Sequence, residues 1–377
     1  MKIGIDARFA VRQPRRGIGT YSLHLIKELV SLDPKSSFIL YTDRDDIEGV
    51  LPSLPNVLVR RLRPSIYPLW EQFALPLAVW RDRIDLLHSL GNTAPICLPA
   101  RTQLVLSLMD VMFLQSGEFI PVPTSTYQRV GKAYRAWVAP INARQAKAVV
   151  TISEFSRQDI LKMIPSLSPE KVHPIHLACD PRFAFTTQSL SKITSRPFLI
   201  CLGAVDPRKN TLMIVQAYLM ALQNNSIDHD LVISGYSNWK ESTAYRLVKA
   251  AGAESRVKFL SFISVEQLAC YYQQASALLY LSLYEGFGIP ILEAYASGCP
   301  VIASNATSIP EVGGEAAFYV DPTNVIAIQE AITLLCNDTQ LQSDLKDRGL
   351  KRSKQFSWGI TAHQTLTVYK NCLENEI

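Results

Sequence analysis

The chain has 377 residues, enough for two domains that each bury a core. Hydrophobic residues make up 48% and charged residues 19%, which excludes an intrinsically disordered chain, and no apolar run is long enough for a membrane span. The net charge of +5 is uneven: residues 1–180 carry 22 Lys and Arg against 16 Asp and Glu, a balance of +6, and residues 181–377 carry 16 against 17. A basic first half can meet nucleic acid, an anionic membrane surface or an anionic substrate. No zinc finger, recognition helix or aromatic-basic RNA motif accompanies it, so nucleic acid is not expected as a partner. The seven cysteines form no C-x-x-C pair, and Met1-Lys2 leads at once into an apolar strand. Reduced thiols, no zinc and a cytoplasmic location are therefore expected.

In chain order, Lys2–Ala7 reads as a strand, followed by a loop with Arg12, Arg15, Arg16, Gly17 and Gly19. Helical spacing of Leu23, Ile26, Leu29 and Val30 predicts a helix over 18–30. Strands are predicted at 38–41, 57–59, 84–88, 103–109 and 148–152, with helices over 68–80 and 123–147 and another opening at Ser153. Residues 165–197 are rich in Pro, Ser and Thr, and the interdomain link is placed there. A second alternating series follows, with strands at 198–203, 231–234, 257–260, 277–281 and 301–303. Its helices are predicted at 211–222, 244–251, 265–275 and 290–297, and three more at about 325–336, 340–355 and 360–374 finish the chain. Strand–helix alternation, twice over, implies two doubly wound parallel sheets, whose ligands lie at the carboxyl ends of strands.

The most informative stretch is Ala277–Pro300. Its buried strand delivers Glu285 to a glycine turn, Gly286-Phe287-Gly288, and Pro290 suits the start of a helix that carries Glu293 in its first turn. Helix N-termini approached by glycines bind phosphate, and carboxylates accept from neutral hydroxyls. Phosphate and polyol together indicate a sugar nucleotide. After the 198–203 strand, Arg208 and Lys209 could neutralise a diphosphate. Gly17 and Gly19 lie too far from the first strand for a dinucleotide fingerprint and read instead as a phosphate-approaching loop. Asp43-Arg44-Asp45 and Asp228-His229-Asp230 have the D-x-D form of metal-bound sugar-nucleotide sites, but Asp228 precedes its strand. His173 and His176 lack acidic or Cys neighbours, so no metal or other cofactor is expected.

The segments S-L-Y-E-G-F-G-I-P-I-L-E-A with its E-x7-E spacing, S-G-C-P-V-I-A-S, Ser308–Val312, L-G-A-V-D-P-R-K-N, T-I-S-E-F-S and G-I-D-A-R…G-I-G-T-Y together resemble the GT4 family of retaining glycosyltransferases. The resemblance covers almost the whole chain. It implies the GT-B fold: two Rossmann-like domains facing a central cleft, an acceptor domain over 1–185 and a donor domain over 186–359, with the last helix (360–377) returning to the first. It further implies that Glu293 holds the ribose, that Glu285, Gly286, Phe287 and Gly288 meet the donor sugar, and that Ile289 and Lys209 meet the diphosphate. Gly17 and Gly19 would approach that diphosphate, Arg208 would stand in for an arginine the family places at Ala204, and Phe262-Ile263 would sit by the base. Where relatives carry a histidine at the end of the 103–109 strand, this chain has Met109. Asp110 is then the candidate for contact with the acceptor hydroxyl, and His88, at another strand end, the substitute for the histidine.

The activity implied is metal-independent, retaining transfer of a hexose from a sugar nucleotide, with UDP-glucose preferred to GDP-mannose. The acceptor would be a saccharide or lipid-linked oligosaccharide in bacterial surface-polysaccharide assembly, and the basic first half would allow peripheral contact with an anionic membrane. A GT-B-like phosphorylase, a sugar-nucleotide epimerase and a two-domain sugar-binding protein without catalysis are the alternatives.

Overall fold

The computed structural model describes residues 1–13, 15, 17–115, 125–185, 193–236 and 238–374. Arg16, the start of the helix expected at 123 and the expected boundary at 185/186 reach outside them. The chain forms two compact units that divide at Leu177/Ala178 and Phe356/Ser357. Both divisions fall earlier than the expected 185/186 and 359/360. The 182–185 turn of helix packs on the helices over 265–274 and 289–296 of the second unit, which draws the boundary forward.

In the first unit, strands β1 (Lys2–Asp6), β2 (Ser37–Thr42), β3 (Val57–Arg61), β4 (Leu86–Ser89), β5 (Gln103–Ser107), β6 (Ala148–Thr151) and β7 (Val172–Pro174) form a sheet in the order β3-β2-β1-β4-β5-β6-β7. Every pairing is parallel. The interior strands are apolar throughout because helices cover both faces, as parallel sheets require. β7 was not foreseen because its proline obscures it; as an edge strand it can carry Pro174, which needs no partner on its outer side.

The helix Gly17–Leu32 packs against the final helix Trp358–Glu374. Trp358 stacks on His24 at 5.0 Å, and the Thr361 hydroxyl donates to the His176 carbonyl at 2.7 Å. These contacts hold the chain's last element in its first unit. The helix expected over 68–80 runs over 67–82 with a wide π turn at Trp70–Ala74. Pro76 has no N–H to continue an ordinary helical ladder, and the wide turn absorbs that loss. It also directs two successive residues, Trp70 and Glu71, into the interior.

The second unit repeats the plan with β8 (Phe198–Leu202), β9 (Asp230–Ser234), β10 (Val257–Phe259), β11 (Ala277–Tyr280), β12 (Val301–Ser304) and β13 (Ala317–Val320), all parallel in the order β10-β9-β8-β11-β12-β13. From β8 the chain enters the helix Thr211–Gln223, which packs with helices 243–250 and 325–337. From the adjacent β11 it enters Ile289–Ala296, which packs with 265–274 and 339–353. Neighbouring strands whose helices diverge to opposite faces open a crevice at their carboxyl ends, where such sheets bind ligands. Among the described residues, no helix is long and apolar enough to cross a membrane.

Candidate functional site

The loops leaving β8 and β11 meet at the switch point of the second sheet. Lys209 Nζ lies 2.6 Å from Glu285 Oε1, both partly open to solvent, and sits 5.4 Å from the centroid of the Tyr280 ring. The backbone locks the loops together: the Leu283 N–H donates to the Arg208 carbonyl at 2.8 Å. Asn210, left-handed at φ 55°, donates from its side-chain amide to the carbonyls of Leu281 (3.1 Å) and Pro322 (2.7 Å). The sequence motifs therefore converge: L-G-A-V-D-P-R-K-N and the E-x7-E block form one surface.

Gly288 adopts φ 120°, a conformation closed to residues with a side chain, and turns the chain from Glu285 into the helix that begins at Ile289. No side chain caps that helix, so its first amides remain directed toward the turn. Phe287 points inward and packs edge-on against Phe356 at 6.1 Å. Its side chain is an anchor, and only the backbone of the turn faces a ligand. Thr307 and Ser308, from the loop after β12, position the turn. The Glu285 N–H donates to Thr307 Oγ1 at 3.2 Å, and Ser308 Oγ donates to the carbonyls of Glu285 (2.9 Å) and Phe287 (2.8 Å). Ser308 was noted in the sequence without a role, and Thr307 was missed, because hydroxyls that hold a distant backbone leave no periodic signal.

Glu293 lies one turn along the helix. It keeps some contact with solvent, yet the packing around it is dense enough that burial pushes its carboxyl up to about 8, aided by the nearby charge of Asp180 and opposed by that of Lys209. Asp180 is held in turn by Arg182, whose Nε and terminal nitrogen approach it at 3.0 and 2.7 Å. The Asp180 neighbourhood was not anticipated, since it comes from the linker, far away in sequence. Arg208, expected to face a diphosphate, is folded back as a fork on Asp206 at 2.5 Å. Phe262 is 59% exposed on the turn after β10, where Gly235 ends β9 closely enough that a Cβ there would touch its ring. Ile263 beside it is half-buried.

In the first unit, Gly17 opens the first long helix at φ 25°, and a Cβ on Gly19 would lie 2.9 Å from the Phe9 carbonyl. Asp110 is partly exposed after β5 and accepts from the Met112 N–H at 3.1 Å, which fixes its loop. His88 departs from expectation. It is fully buried: its Nδ1 shares a 2.5 Å hydrogen bond with the Tyr369 hydroxyl and its Nε2 a 2.8 Å bond with Ser107, which also bonds Tyr21. Burial lowers its pKa to about 3, so the ring stays neutral. With no open edge it cannot reach an acceptor, and its assignment as a catalytic group is corrected to that of a pin for the last helix.

The switch point of the first sheet holds a different cluster. Arg8, wholly buried after β1, contacts Asp6 at 2.7 Å and Glu71 at 2.9 Å and lies 3.9 Å from the centre of the Trp70 ring. Glu71 also accepts from Tyr134 (2.7 Å) and Thr93 (2.9 Å). The acids of both D-x-D triplets are engaged by arginines: Asp43 by Arg12, Asp45 by Arg61, and Asp228 and Asp230 by Arg256.

Comparison with known proteins agrees with this geometry. Residues 15–183 match the glycosyltransferase family 4 model and residues 184–352 the model of glycosyl transferases group 1. The chain is 28% identical to the O-antigen chain mannosyltransferase B of Escherichia coli, across 98% of this chain and 100% of that one. It is 26% identical to the O-antigen chain mannosyltransferase RfbU of Salmonella typhimurium, across 84% and 86%. Its fold superposes on a sucrose-phosphate synthase from Thermosynechococcus elongatus with a TM-score of 0.76 at 18% identity, covering 100% of both chains. Two consecutive family matches over two Rossmann-like sheets, with the E-x7-E block at the second switch point, establish that the chain is a GT-B-fold glycosyltransferase of the GT4 family.

Proposed function

We propose that the protein transfers mannose, with retention of anomeric configuration and without a metal ion, from GDP-mannose to a saccharide or lipid-linked acceptor in surface-polysaccharide assembly. The observation that carries the reading is the Lys209–Glu285 pair beside the uncapped helix start at Ile289. The sequence preference for UDP-glucose gives way to mannose because the relative matched over its whole length is a mannosyltransferase. Polysaccharide assembly is likewise favoured by the O-antigen relatives.

In this reading the helix amides and Lys209 stabilise the negative charge that grows on the departing diphosphate, as fixed electrostatics in place before the reaction. Gly17 and Gly19 approach that diphosphate, and Arg208 contributes by swinging off Asp206. Glu285 accepts from hydroxyls of the donor sugar together with the amides of Gly286, Phe287 and Gly288. Glu293 takes the ribose diol, and Phe262 and Ile263 flank the base. The acceptor hydroxyl, oriented by Asp110, attacks the face that the diphosphate leaves. The bond to the diphosphate oxygen breaks, the new glycosidic bond forms, and the hydroxyl proton passes to the leaving phosphate.

Thermal shift with GDP and UDP tests the base, since the true nucleotide stabilises the fold by mass action. Labelled GDP-mannose and UDP-glucose, each with a lipid-linked acceptor and with or without chelator, test sugar, transfer and metal together. A larger shift with UDP, or label moving only from UDP-glucose, overturns the donor assignment. Isomerisation without transfer overturns the reaction.

A further inference from the structure

We propose that the outer face of segment 66–80, continued by helix Thr126–Gln145, docks on an anionic lipid bilayer. Ile66, Leu69, Phe73, Leu77 and Trp80 are 61, 43, 68, 65 and 66% exposed. They recur every three or four residues and so form one continuous stripe along the helical segment. Scattered exposed apolar residues need no explanation, but five in register do.

The charges on the same segment are sorted by sign. Its two acids face inward: Glu71 is bound by Arg8, Thr93 and Tyr134, and Asp82 by Tyr41 and Arg60. The arginines at 63, 81 and 83 are exposed. Helix Thr126–Gln145 joins the segment through Tyr134, which donates to Glu71 and packs edge-on against Tyr67 at 5.7 Å. That helix has no acidic residue at all. Val130 (61% exposed) and Trp137 (64%) stand one turn to either side of Tyr134, and Arg129 and Arg144 are exposed as well. Two adjoining helices thus present apolar and aromatic side chains flanked by arginines with no outward acid, the pattern of a surface that lies in the headgroup region of a negative bilayer. A second copy fits less well, because a two-fold contact would set each arginine group against its own image.

Co-sedimentation of the full chain with phosphatidylcholine vesicles, with and without phosphatidylglycerol, tests the surface and needs no donor. Its failure therefore leaves the proposed reaction standing. The full chain is expected to bind the mixed vesicles and to be released by salt. The triple variant Phe73→Ser/Leu77→Ser/Trp80→Ser, confined to exposed positions, should bind at least about tenfold more weakly. Neutralising Arg63 or Arg81 to Gln should weaken binding roughly fivefold each. Nucleotide-induced thermal shift should stay unchanged in all three, which shows that they fold. Vesicle binding unaffected by the triple variant, or no binding by the parent chain, overturns the proposal. So does a vesicle-free dimer, seen by sedimentation velocity, that the triple variant dissolves.

Discussion

The two sheets share a strand order around their switch points, β2-β1-β4-β5 in the first and β9-β8-β11-β12 in the second, yet use the place in opposite ways. At the first, a cation and two carboxylates are sealed: Arg8, Asp6 and Glu71 have side chains no more than 1% exposed, under the rings of Trp70 and Tyr67. At the second, Lys209 and Glu285 form a pair of similar length that remains 25 and 15% exposed beside glycine backbone and uncapped amides. The topology provides a crevice in both cases. Whether it becomes core or binding surface depends on what fills it: aromatic rings close one, and glycines leave the other open. A buried charge cluster serves specificity of packing, whereas an exposed pair can exchange partners with a ligand at small cost.

The contrast can be broken most sharply at Arg8. Arg8→Met should leave two buried carboxylates without their cation and cost about 3–5 kcal/mol, read as a large fall in melting temperature. A variant that melts like the parent would mean that the cluster is not sealed. At the open site the loss should fall on activity. Glu285→Gln is expected to slow transfer roughly 100-fold with little change in melting temperature, and Lys209→Met to act similarly. Full activity in Glu285→Gln would remove the donor sugar from this turn. Tyr369→Phe withdraws a buried partner from His88 and should cost about 1–3 kcal/mol without affecting nucleotide affinity, by thermal melt and titration. A selective loss of turnover would instead restore His88 to the chemistry.

The smallest expected effect is a pH dependence. The Glu293 carboxyl is raised from 4.5 to about 8, so the folded state retains a proton that the unfolded chain loses. Its contribution to stability is complete below the unfolded value and disappears as pH rises through about 8. Melting curves across that window should slope downward for the parent and lie flatter for Glu293→Gln. Identical slopes would dissociate the shift from this residue.

Much of the fold was legible because parallel strands buried on both faces read as apolar runs, and turns such as Gly286–Gly288 punctuate them. The edge strands β7 and β13 escaped notice, being short and half-apolar, and the π turn at Trp70–Ala74 could not be read from a periodicity it interrupts. At the site, Glu285, Lys209, Gly288 and Glu293 were visible because local motifs carry them. Thr307, Ser308, Asn210 and Asp180 were not, since each acts on backbone or charge that is near only after folding. His88 shows the reverse error: position at a strand end suggested chemistry, and a helix 281 residues away closed it off.

By itself, then, the sequence determined the alternation of strands and helices, the two-sheet architecture and the E-x7-E turn, because hydrophobic period, glycine and proline act over a few residues. Tertiary structure decided which charges are buried and which are open, that Arg208 is held by Asp206 while Lys209 meets Glu285, and that the apolar stripe from Ile66 to Trp80 remains uncovered. Burial and charge pairing depend on what packs from distant parts of the chain, and no local pattern encodes that.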